Sequence, residues 1–141
     1  MAVSYVGGMT ESSAIQGTVT AGVAIAEGDV LAYNGNVLER ATSSTTIHDI
    51  AGVALETITT TDTLILFAQF MPGQQYEVDT ANNTATTQRY EGMILTDHDT
   101  INNTDTTVTG PTAVFKAFGL IGAVGDKKLI GEFQRSASTS T

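Results

Sequence analysis

Cysteine and tryptophan are absent from the 141 residues, and histidine occurs only at His48 and His98. Without cysteine there is no disulfide framework, no thiol nucleophile and no cysteine-based zinc set, and the redox compartment stays open. Basic residues are few: six against fifteen acids, a formal charge of −9 and a pI near 4.3. That balance opposes approach to nucleic acid or to an anionic membrane, so neither is expected as a partner. Long apolar runs are missing too. The longest, Leu64 to Met71, is interrupted by Gln69, far short of the roughly 18 residues a membrane span needs. The N-terminus has neither a basic leader nor a sustained apolar core of a secretory signal, so a soluble protein made in the cytoplasm is expected.

What is abundant is threonine, 24 residues, and glycine, 14 residues. Threonine suits a pleated, half-solvated surface, and glycine with asparagine supplies the turns between short strands. Short apolar runs recur between such turns, and no helical period of useful length competes. The expectation is an all-β fold, a small barrel or sandwich of short antiparallel strands. One domain over 15–134 is expected, preceded by an N-terminal arm, 1–14, and followed by a flexible tail, 135–141. In the arm, Val3, Tyr5, Val6 and Met9 are apolar hooks. They would dock on the chain's own barrel or on a partner.

The clearest unit is DVLAY-NG-NVLERA. A type I′ turn centred on Asn34-Gly35 predicts a hairpin in which Leu31 faces Leu38 and Asp29 faces Arg40, the latter as an exposed ion pair. Gly52, inside IHDIAGVALETI, predicts a bulge or a close backbone approach. TLILFAQFM is apolar on both faces, so it needs cover on two sides. Its own chain could supply that cover, or an oligomer interface at Phe67, Phe70 and Met71 could. The run from Asp97 to Gly110 reads as an exposed loop or a flexible hairpin. Gly28-Asp29-Val30-Leu31 is echoed by Gly92-Met93-Ile94-Leu95, and Ala51-Gly52-Val53-Ala54 by Phe118-Gly119-Leu120-Ile121, which suggests two related halves.

Chemistry-bearing patterns are scarce. No nucleophile elbow and no phosphate-binding glycine loop occurs. Asp97-His98-Asp99, with Asn102, Asn103 and Asp105 nearby, offers oxygen ligands on one loop, but Ile101 stands where an EF-hand would need its third ligand. A solvated turn is expected there, with no metal and no cofactor. His48 reads as a surface residue at a strand start, and Glu77 with Asp79 as an exposed pair on one strand face. The sequons Asn82-Asn83-Thr84 and Asn102-Asn103-Thr104 read as accidental. No catalytic residue is identified, so the chain is not expected to be an enzyme.

The run Ala21-Gly22-Val23-Ala24-Ile25-Ala26-Glu27-Gly28-Asp29-Val30-Leu31, then Asn36 to Ala41, then Ile50-Ala51-Gly52-Val53-Ala54, resembles the small β-barrel decoration, or cement, proteins of tailed bacteriophage capsids. The resemblance covers 17–56, with a looser match over 92–133. The stretches Thr80 to Thr87 and Thr100 to Thr109 match no part of it. It implies a non-enzymatic virion protein, often a homotrimer, that binds the outer surface of the shell and bridges neighbouring major capsid subunits. A glycan- or receptor-binding module of a phage tail or fibre is the alternative, and it would need loop aromatics such as Tyr76 and Tyr90.

Overall fold

The computed structural model describes residues 3–7, 14–104 and 110–136, with the backbone alone for 4–7. It is all-β: β1 (Val3–Gly7), β2 (Ala14–Thr18), β3 (Val30–Asn34), β4 (Val37–Arg40), β5 (Ile50–Ala54), β6 (Leu64–Gln69), β7 (Gln75–Asp79), β8 (Gly92–Leu95), β9 (Ile101–Asn102), β10 (Phe115–Leu120) and β11 (Lys128–Phe133), and Thr86–Gln88 form a 3-10 turn. Two antiparallel sheets result. One runs β2-β6-β5-β3-β4 and the other β1-β7-β11-β10-β8-β9.

The β3–β4 hairpin forms, but its register differs from the expected one. Asn34 pairs with Val37 and Leu31 with Arg40, so the two loop residues are Gly35 and Asn36. Gly35 takes φ 62°, while neither flanking asparagine has positive φ. A turn of this II′ kind places one left-handed residue at its first central position, and glycine fills it at no steric cost. A type I′ turn would have put Asn34 there as well. Asp29 therefore never meets Arg40; it is buried at the start of β3, where its carboxylate accepts the Ala26 N–H at 3.0 Å.

The two sheets share one plan. Within each run of five consecutive strands the spatial order is first, fifth, fourth, second, third. Each run then curls so that the residue just past its first strand makes a parallel bridge to its third strand: Val19 to Leu38 in one, Thr80 to Ile101 in the other. Val19 and Thr80 lie 61 residues apart, Leu38 and Ile101 63 apart. Strand pairing carries the equivalence to Leu31 and Met93, Ala54 and Ala117, and Ile65 and Leu129, at separations of 62, 63 and 64. The chain thus holds two five-strand units, β2–β6 and β7–β11. The sequence echo fell on the right strand pairs, β3 with β8 and β5 with β10, although its residue alignments slide by two and four positions against this register.

The core follows from alternation along the strands. Leu31, Leu38, Ile65 and Phe67 point into the first unit's own interior with Val19, Ile25 and Ile58. The opposite face of the same sheet, with Val30, Ala32, Ile50, Val53, Ala68 and Phe70, packs into the concave face of the second unit against Tyr76, Val78, Met93, Phe115, Leu129 and Phe133. All five residues of β5 are buried for this reason. Its backbone also runs close to β6: a Cβ on Gly52 would lie 2.0 Å from the Ala68 carbonyl oxygen. A bulge in β5 opposite Leu31 and Ala32 accompanies it. At the seam, Phe70 stacks on Phe133 with ring centroids 4.2 Å apart, and Tyr76 and Phe115 meet Phe133 edge-on. Such pairs add about 0.5–1.5 kcal/mol each beyond the area they bury.

The polar stretch after Asp97 is more ordered than its composition predicts. Ile101 and Asn102 form β9, and Ile101 and Asn103 are buried. The Asn103 amide gives hydrogen bonds to the Asn82 and Asn83 carbonyls and receives the Asn82 N–H, while Gln88 Nε2 donates to the Asn103 carbonyl at 2.9 Å. Asparagine-rich sequence here is an interlock of two loops. A buried amide costs little once every group has a partner.

Candidate interaction surface

Apolar side chains at the surface mark where this molecule is incomplete. Along β6 the residues alternate: Ile65 and Phe67 turn inward, while Leu64, Leu66, Ala68 and Phe70 share the outer face. The second sheet covers that face over Ala68 and Phe70 and stops short of Leu64 and Leu66, which stay 49% and 39% exposed. Gln16 and Thr18 lie across from them on β2. TLILFAQFM thus receives from its own chain one full cover and half of the other.

Of the residues expected at an oligomer interface, Phe67 and Phe70 spend their surface inside the monomer, one in each core cluster. Their rings have nothing left to give a second copy. Met71 is exposed. The remaining exposed apolar surface on this segment belongs to Leu64 and Leu66, which face away from Phe67 and lie on the Phe70 face beyond the reach of the second sheet. Of the arm residues, Val3 is buried and β1 pairs antiparallel with β7, Val3 opposite Val78 and Tyr5 opposite Tyr76. Val6 continues that strand, and Met9 lies outside the described residues.

The loop carrying Asp97, His98 and Asp99 clamps β3. The Val30 N–H donates to the His98 carbonyl at 2.6 Å, and His98 Nε2 stands 3.9 Å from Asp29 Oδ1. Asp29, His98 and Asp99 each place one ligand atom within 4.8 Å of the others, so these three could take up a divalent cation. Asp29 was not part of the grouping seen in the sequence, because the expected pairing sent it to Arg40. Its carboxylate already holds the Ala26 N–H, and the arrangement works as a loop fastening without further partners. Burial pushes the Asp97 carboxyl up, but hydrogen bonds from the Asp99 side chain and backbone outweigh it and hold Asp97 below the ordinary carboxylate range. Asp99 is raised, first by its side-chain hydrogen bond with Asp97 and then by burial. Asp105 lies outside the described residues.

Other expected sites resolve simply. Glu77 and Asp79 share Lys128, whose Nζ lies 3.5 and 2.7 Å from their carboxylates. His48 sits half-buried in the turn before β5. Tyr76 is fully buried, so it is no loop aromatic, whereas Tyr90 is 69% exposed with its backbone at φ 64°. A left-handed tyrosine is strained, and such strain recurs at functional positions. Among the described residues no helix is long and apolar enough to cross a membrane. No family model matches the chain, and no curated protein matches it.

Proposed function

We propose that this protein is a structural, non-enzymatic decoration protein of a bacteriophage capsid, sited on the outer surface of the shell and bridging neighbouring major capsid subunits, and that it works as a homotrimer. The uncovered pair Leu64 and Leu66 carries this reading: an apolar strand face left open on an acidic molecule fits an assembly partner. The resemblance over 17–56 supplies the kind of assembly. A rigid double unit fixed across a junction makes separation of shell subunits require breaking its contacts as well, and repetition over a symmetric shell multiplies modest contacts. Light scattering of the purified chain is the test. A trimer that becomes a folded monomer on Leu66→Asp, and loses co-sedimentation with empty capsids, agrees with this function; an unchanged oligomer removes Leu66 from the interface, and a wild-type monomer that ignores capsids sinks the reading.

The tail- or fibre-module alternative has one observation in its favour, the exposed ring of Tyr90 on a left-handed backbone. Glycan-array binding lost on Tyr90→Ala would favour it.

A further inference from the structure

The repeat shows what one edge of the molecule lacks. β7 opens the second unit and has two neighbours, β11 on one side and β1 on the other. Its counterpart β2 opens the first unit and, among the described residues, has one strand partner, β6; Gly17 also packs on Leu38 of β4, and Val19 just past β2 bridges to Leu38. Residues Ala14 to Gly17 occupy the place that Gln75 to Val78 occupy in the other unit, where β1 runs alongside.

The inward side chains record the difference. Tyr76, on β7 opposite Tyr5 of β1, is 0% exposed, while its equivalent Ile15, equally inward-facing and opposite Phe67, is 38% exposed. Beside Ile15 a groove of about 190 Å³ opens between β2 and β4, floored by Gly17, Leu38 and Phe67 and flanked by Tyr33 and Val37. Among the described residues no charged side chain lines it, in a chain with 21 charged residues, six basic and fifteen acidic.

We propose that the free edge of β2 is a strand-addition site, taking an extended, uncharged segment of another protein in the place that β1 holds in the second unit. Main-chain groups of β2 supply the pairing, and a β-branched side chain, as Val3 is to Val78, enters the groove over Ile15 and Gly17. The donor is not β1 of a second copy, because each β1 is seated on its own β7 with Val3 buried, and removing it would uncover Val78 and Tyr76. The proposal stands apart from the capsid reading: it specifies the chemistry of the partner segment, whatever assembly that segment belongs to.

The synthetic peptide MAVSYVGGMT, this chain's own first ten residues, is the probe. Added to the full-length protein at up to about 1 mM, it should bind saturably and add hydrogen-exchange protection within Ala14 to Gly17. Two further peptides, one N-methylated at Val3, Tyr5 and Gly7 and the other at Ser4 and Val6, separate pairing from stickiness. Only one alternating set of amides can face β2, so one peptide should bind at least about tenfold more weakly and the other should keep its affinity. Ile15→Asp should weaken the unmodified peptide similarly. The proposal is overturned if protection appears only on β7, if both methylated peptides bind alike, if no binding occurs, or if β2 becomes protected with rising protein concentration alone, which would give the edge to a second copy.

Discussion

The first and second five-strand units have the same path and different completeness. The second has an extra strand on its opening edge, an aromatic core and a cap of interlocked asparagine and glutamine. The first has a smaller interior and an open edge, and it lends its other face to its neighbour. Duplicating a curled sheet therefore yields a plug and a socket rather than two equal barrels. Which unit a residue serves decides what its loss costs.

The sharpest break in this comparison is at the seam. Phe133→Ala removes the ring on which Phe70 of the first unit stacks, and a loss of about 3–5 kcal/mol is expected, with amides of β5 and β11 becoming exchangeable together. Urea unfolding with exchange in both strands would test it; β5 keeping its protection while β11 loses it would mean the units fold independently. Deleting residues 1–7 strips the second unit to the state of the first. The loss should be about 1.5–3 kcal/mol, near the worth of re-exposing a buried valine and its partners, with faster exchange at β7 and none of it at β2. Asn103→Ala takes the side-chain partner from the Asn82 N–H and the Asn83 carbonyl, at about 1–3 kcal/mol; an unchanged melting curve would show that the loop interlock is ornamental.

The smallest expected effect is at Lys128. Its pKa is raised, chiefly by the hydrogen bond to Asp79, so the folded state favours the charged amine. That stabilisation is present below the unfolded value of about 10.4 and is lost as pH rises through the higher folded value. The pair is exposed, so Lys128→Met should cost at most about 1 kcal/mol and should remove the part of the stability change seen above pH about 10.

Much of this was legible from residues alone, for stated reasons. Strands were marked by threonine and β-branched runs between turn residues, and Gly52 announced the close approach to β6 because only glycine leaves room for a carbonyl there. The Asn34-Gly35 hairpin was legible but its register was not, since asparagine and glycine both tolerate the left-handed region and the turn can centre one residue later. That single slip also hid Asp29 from its neighbours His98 and Asp99. β9 was hidden because Ile101 is one apolar residue in a polar run, and a two-residue strand has no period to read. The open face at Leu64 and Leu66 could not be seen either: the sequence showed that the strand is apolar on both sides, but where the second sheet stops is set by packing.

β1 is made before the other described strands and is among the last of them that can dock. Val78 follows Val3 by 75 residues, and β7 itself leans on β11, near the far end of the chain. Closing so long a loop is slow, so during synthesis the leading segment waits, unpaired, while the first unit forms behind it. Its eventual seating on β7 ties this early segment to the later-built sheet, and the rate of that step measures when that sheet is complete.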